Sequence, residues 1–193
     1  MNPVTPAEIQ SLQDYELSRP ALRKRMMDVK AARRVAIGDH LTLLFENHDT
    51  VLYQIQEMLR VERIAEPAAI AHEIATYNDL VGGSDEICAT LLIEYADPAH
   101  RDARLRQLLG LEKHLALIVE GAGECRAQFD TRQMSEERIS SVHYLQFELG
   151  KQLADAIRAG ASVELQVDHP KMSERARLTS AQLAALVEDL SPS

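Results

Sequence analysis

The feature that most constrains the fold is a pattern that occurs twice, 48 residues apart: Thr42-Leu43-Leu44-Phe45-Glu46 and Thr90-Leu91-Leu92-Ile93-Glu94. Each is a short apolar run closed by a carboxylate. An Asp follows three residues later, Asp49 then Asp97, with Thr50 or Pro98 next. A capping side chain ahead of such a residue is how a helix begins, so both copies read as strand, short loop, helix. Two such strands side by side in one direction would bring Glu46 and Glu94 to the same sheet edge. A chance match is the competing reading. The echo fades within the helices, where Gln56-Glu57-Met58-Leu59 stands against Arg104-Leu105-Arg106-Gln107.

The amino-terminal region reads as two helices. Thr5-Pro6-Ala7-Glu8 matches a capping box with Pro at the first helical position, and Pro20 starts the second. Leu22, Met26 and Val29 recur at helical spacing, a narrow stripe that suits a peripheral helix. The run 41–46 suits a strand buried on both faces. Asn47-His48-Asp49 then leads into a long helix with Val51, Leu52, Ile55, Met58 and Leu59 on one arc and Tyr53, Glu57 and Arg60 opposite. Glu62 falls inside the apolar arc, where it must reach water or a partner. Pro67 opens a helix that Gly82-Gly83 ends, and Asp97-Pro98 opens a charged one. Leu115, Leu117 and Val119 alternate, turn at Gly121-Ala122-Gly123, and continue in Cys125, Ala127 and Phe129, a hairpin signal. A strand over 139–149, a helix around Leu153 and Ile157, a strand over 163–167 and a helix capped at Thr179 complete the chain. The expected fold is α+β, a helix-rich first half packed on a mixed, largely antiparallel sheet. The 193 residues fit one domain, with 1–35 a peripheral helical segment and 36–193 the core.

The formal charge of −9 is uneven, because the stretch from Arg19 to Arg34 holds seven basic residues and one acid, Asp28. Arg23, Lys24, Arg25, Arg33 and Arg34 could attract phosphate, RNA or an acidic partner. The negative total, the absence of Trp and an aromatic content of 4% argue against nucleic acid. Cys88 and Cys125 are too few for a disulfide framework and lack CxxC spacing, which suits a reduced, cytoplasmic protein. No apolar stretch approaches the length of a membrane span and residues 1–17 lack an export signal, so no membrane association is expected.

The candidate chemistry gathers on acidic and polar side chains. Glu46 and Glu94 with His48 nearby could hold a divalent metal or share acid and base work. The plain alternative is a pair of solvated glutamates at strand ends. A small polar pocket near Glu46, Gln54, Glu57, Arg60 and Glu94 could instead bind a ligand without chemistry of its own. At Asp168-His169-Pro170 a strand ends, and Pro170 keeps His169 extended. That suits a ligand contact or a turn in which Asp168 accepts backbone bonds. No HExxH, GxGxxG, Walker or GxSxG motif is present, and Ser140-Ser141 near His143 lacks an orienting acid for a triad.

The segments His40-Leu41-Thr42-Leu43-Leu44-Phe45-Glu46-Asn47 and Gln54-Ile55-Gln56-Glu57-Met58-Leu59-Arg60, with Ala89-Thr90-Leu91-Leu92-Ile93-Glu94 and Asp168-His169-Pro170, resemble an uncharacterised bacterial family. It is catalogued as domain of unknown function thirty-five-oh-one, and the likeness covers essentially the whole chain. His48 departs from the Arg that the resemblance leads one to expect, which weakens an anion-binding role there. The resemblance implies an accessory part in redox or peroxide defence alongside rubrerythrin-like and iron–sulfur proteins, with a redox protein as partner. It brings no catalytic residues. Two functions are therefore expected: a cytoplasmic accessory or binding protein, or alternatively a metal-dependent enzyme using the Glu46/Glu94 pair.

Overall fold

The structure, a computed structural model, describes residues 1–130 and 137–191. Among these, helix α1 (Leu12–Ala31) precedes strands β1 (Arg34–Ile37) and β2 (Leu41–Phe45) and helices α2 (His48–Glu62) and α3 (Pro67–Asn78). Strand β3 (Glu86–Ile93) and helix α4 (Pro98–Gln107) follow, then β4 (Leu115–Val119), β5 (Gly123–Arg126), β6 (Gln128–Phe129) and β7 (Val142–Glu148). Helix α5 (Gly150–Arg158), β8 (Val163–His169), β9 (Met172–Arg177) and α6 (Ser180–Leu190) close the chain. The fold is α+β, but the single expected sheet is two. One has the order β1-β2-β3-β7-β6 and the other β5-β4-β8-β9, with antiparallel pairing throughout.

Period-two alternation decides which side of each strand is buried. Leu43, Phe45, Leu91 and Phe147 of the first sheet meet Leu117, Val163 and Leu165 of the second in one apolar core, closed by Leu105, Ile157 and Leu186 from α4, α5 and α6. Each such side chain contributes roughly 1.5–3 kcal/mol when fully buried. The hairpin β4–β5 forms as its alternation implies. Its expected continuation does not: after Ala127 donates to the Leu115 carbonyl, Gln128–Phe129 crosses over to pair with β7. A second apolar cluster, Val51, Ile55 and Leu59 of α2 with Ile74, Tyr77 and Leu80, sits beneath α2 and α3, and Tyr144 of β7 packs against it. This cover explains why all five residues of β2 are buried.

Helix ends follow the capping chemistry with one change of residue. Asn47, not Asp49, caps α2, accepting from the Thr50 amide at 3.0 Å while its own amide donates to the Thr50 hydroxyl. Asp97 caps α4 at the His100 amide and Thr179 caps α6 at the Gln182 amide. The amino-terminal expectation is corrected. The box at Thr5 supports only a 3-10 turn over Pro6–Glu8, and α1 begins at a new cap, Ser11, and runs through Pro20 without a break. Pro20 is exposed, where water can take the carbonyl its missing N–H leaves open. Ion pairs Arg19–Glu57 and Arg25–Asp49 hold α1 along α2 on both sides of it.

Candidate functional site

The repeated strands β2 and β3 are neighbours, as the echo suggests, but they run in opposite directions, with Leu41 opposite Ile93 and Phe45 opposite Ala89. This overturns the Glu46/Glu94 pair. The Glu46 amide bonds to the Cys88 carbonyl at one end of the ladder, and the Glu94 amide to the His40 carbonyl at the other. Six residues of strand separate those levels, about 20 Å. The echo instead produces a two-fold exchange: the Thr90 hydroxyl donates to Glu46 Oε1 at 2.6 Å, and the Thr42 hydroxyl donates to Glu94 Oε2 at 2.6 Å. His48 joins neither carboxylate; its ring meets the Asn2 carbonyl and Glu8.

The Glu46 end is the one with site character. Directly opposite residues of a sheet share a face, so two rungs can be followed across it. Glu46 lies level with Cys88, Cys88 is opposite Gln146 and Gln146 opposite Gln128. In the next rung Thr90 is opposite Tyr144, whose carbonyl accepts from the Asp130 amide. The second rung ends at the apolar Leu44 and the first passes through buried Cys88, but their β7 and β6 members, Tyr144, Gln146 and Gln128, open into a cleft of about 740 Å³ between the end of α3, β6 and β7. Tyr77, Asp79, Glu86, Tyr144 and Gln146 line it, and no Lys, Arg or His is among its described lining residues. Gln54, a sequence candidate, does reach this region, donating to the Tyr144 hydroxyl at 3.2 Å. Burial, then the neighbouring Tyr144, pushes the Tyr77 phenol up. At the covered end Glu46 is 2% exposed, and its Oε2 has no hydrogen-bond partner. Cys88 is pushed up to about 12 by burial first, then by Glu86, Glu46 and Asp79.

The other sequence candidates are dispersed. Glu57 and Arg60 face α1: Glu57 accepts from Arg19 at 2.7 and 2.9 Å and from the Tyr15 hydroxyl at 2.7 Å, and Arg60 reaches it at 3.4 Å. Arg19 first, then Tyr15, holds the Glu57 carboxyl down to about 2 against its own burial. Glu62 is exposed. Among the described residues the Asp168 carboxylate takes side chains and not turn amides: it receives His114 at 3.0 Å and Arg126 at 3.3 Å. His169 is internally satisfied, its Nδ1 accepting from the Lys171 amide and its Nε2 donating to the Leu109 carbonyl. The basic stretch is partly spent, since Arg33 is buried in an ion pair with Asp189 and Arg25 pairs with Asp49. Burial pushes the Asp189 carboxyl up, opposed by Arg33 and Asn47. Near the unused serines, His143 contacts the Ser140 carbonyl and not its hydroxyl. Among the described residues no three His, Cys, Asp or Glu side chains converge as a metal cage requires.

Tyr77, Tyr144 and Gln146 are not among the sequence candidates, and Thr90 enters the sequence reading only as the first residue of the second repeat. The signal of the first three is polar side chains within apolar runs, which becomes specific once register is known.

The model of the family DUF3501, described as a protein of unknown function, matches residues 3–190. The chain belongs to that family. It is also 34% identical to a novel protein of unknown function from Burkholderia pseudomallei with a crystal structure, over 98% of this chain and 100% of that chain, with a TM-score of 0.92. No curated protein matches. Membership of DUF3501 therefore agrees with the resemblance at 40–47 and 54–60, and no activity comes with it.

Proposed function

We propose that the protein is a cytoplasmic accessory or binding protein that takes a small molecule rich in hydrogen-bond donors into the cleft beside β7. The observation that carries this reading is Glu46, a buried carboxylate with one oxygen held by Thr90 and the other unmatched, on the same rung of the sheet as Gln146 and Gln128 of the cleft wall. Leaving a buried acceptor unsatisfied costs about 1–3 kcal/mol, more for a charged one. A fold keeps such a cost most readily where function uses the group. The tyrosines and Gln146 supply further donors and acceptors, and the absence of cations among the described lining residues favours donors over anions.

The accessory part in redox or peroxide defence implied by the family resemblance fits this reading as its setting, with a redox protein as partner. A thiol pushed up to about 12, as at Cys88, is almost never a thiolate at neutral pH, which favours binding over thiol turnover by this chain.

The test is an NMR titration of isotopically labelled protein against amines, amides and sugars. One class should shift Tyr77, Tyr144 and Gln146, and Glu46→Gln should weaken it at least about tenfold with the fold intact, the loss of one charged hydrogen bond. Shifts confined to other surfaces, or unchanged affinity in Glu46→Gln, would reject the reading.

A further inference from the structure

Residues 2–10 form a strap across α2 and α3, fastened by side-chain amides that imitate strand pairing. Asn78 accepts from the Val4 amide at 2.9 Å and donates to the Val4 carbonyl at 3.0 Å. Gln56 does the same for Gln10, at 3.0 and 3.1 Å. At the first of these points Val4 is 3% exposed, packed in the cluster with Ile55, Ile74 and Tyr77.

The third fastening is chemically different. His48, the first residue of α2, has Nδ1 2.9 Å from the Asn2 carbonyl oxygen and Nε2 2.8 Å from a Glu8 carboxylate oxygen. A carbonyl oxygen only accepts, and so does an ionised carboxylate. Glu8 is held below the usual carboxylate range, first by the Thr5 hydroxyl and amide and then by His48. Both ring nitrogens must therefore donate, which only the imidazolium does. We propose that the strap is a proton-operated latch, closed when His48 carries two protons and released when it loses one.

A neutral ring would present a lone pair either to the Asn2 carbonyl or to the Glu8 carboxylate, exchanging a charge-assisted bond for a repulsion. The charges around His48 oppose one another. Glu8 on the strap, Asp49 on α2 and Glu188 and Asp189 on α6 favour the cation. The α2 amino terminus and the Met1 ammonium oppose it. Asp49 is shared with Arg25 of α1, and Asp189 with Arg33, so Glu8, in direct contact with the ring, is the main support. Imidazoles change charge between about pH 5 and 8; the latch is closed on the acid side of that change and open on the alkaline side. Opening withdraws Val4 from Tyr77 and frees Asn78; Tyr77 and Asn78 belong to the cleft wall. That last consequence rests on the binding reading of the cleft; the latch itself does not.

The test measures amide exchange of Val4 and Gln10 without ligand, corrected for intrinsic rates and referenced to the core amide of Leu91, from about pH 5.5 to about pH 8.5. Protection of both amides should fall about tenfold across that range in the natural sequence, the weight of one charge-assisted bond. It should stay high throughout in His48→Arg, which keeps a cation, and low throughout in His48→Gln. Flat protection in the natural sequence, or the same decline in His48→Arg, would overturn the proposal. Because no ligand is used, an unsuccessful ligand titration leaves this outcome untouched, and failure of the latch leaves the cleft reading untouched.

Discussion

The two ends of the β2–β3 ladder carry the same five-residue pattern and the same bond, a threonine hydroxyl donated to a glutamate at 2.6 Å, yet they are chemically unequal. Glu94 is exposed beside His40, whereas Glu46 is covered and keeps one oxygen without a partner. The difference is the cover: the apolar cluster of α2 and α3 packs over the outer face of the sheet. Equal local bonding therefore gives one solvated strand end and one desolvated acid with an unmatched oxygen. Glu57 completes the comparison as a covered carboxylate with every partner it needs.

The largest expected effect calibrates that comparison. Glu57 is held down to about 2 by Arg19 and Tyr15, against about 4.3 when unfolded. A depressed folded value contributes stability above the unfolded pKa that is lost as pH falls through the folded one. Glu57→Gln should thus cost about 2–3 kcal/mol in urea unfolding at neutral pH, the full shift being discounted for the solvent that screens this half-buried pair. The gap from the natural sequence should close between about pH 4 and about pH 2. A gap that persists at the acid end would mean packing, not charge, is what the variant removes.

Next comes the matched pair of threonines. Thr90→Val leaves Glu46 buried without any donor and should cost about 2 kcal/mol, while Thr42→Val leaves Glu94 to water and should cost under about 0.5. Equal losses would erase the distinction between the ends. A smaller effect of opposite sign is expected from Glu46→Gln, since a neutral amide is cheaper to bury than an unmatched carboxylate. A gain of about 1 kcal/mol would raise Tm by about 2–4 °C by calorimetry. Glu94→Gln should leave Tm within about 1 °C. A destabilised Glu46→Gln would show that the buried charge is structural.

Much of the fold is legible in the chain because its signals are local. Alternation in 115–119 and 163–167, the cap at Asp97, the capping box at Thr179 and the terminal helix all form where those residues place them. The misreadings have one origin. Pro20 reads as a helix start because a missing N–H is a local defect, but the ion pairs from α1 to α2 are distant in sequence. Asp49 reads as the cap because Asn47 serves equally well by composition, and only backbone geometry separates them. Gln54 was found without its partners, and Gln56 and Asn78, which fasten the strap, give no sign of it in their neighbours.

By itself the sequence determined the strands within 41–46, 90–94, 115–119 and 163–167 and most of the helices, because propensity, capping and periodicity act over a few residues, whereas β1 and β9 carried no such signal. It also displayed the two Thr-to-Glu runs whose threonine–glutamate bonds are the same at both ends. Only the tertiary structure decided that those runs oppose each other, that Glu46 and Glu94 lie at opposite ends, and that one of them is covered. Strand direction and cover depend on contacts between residues tens of positions apart, and a two-residue period reads the same in either direction.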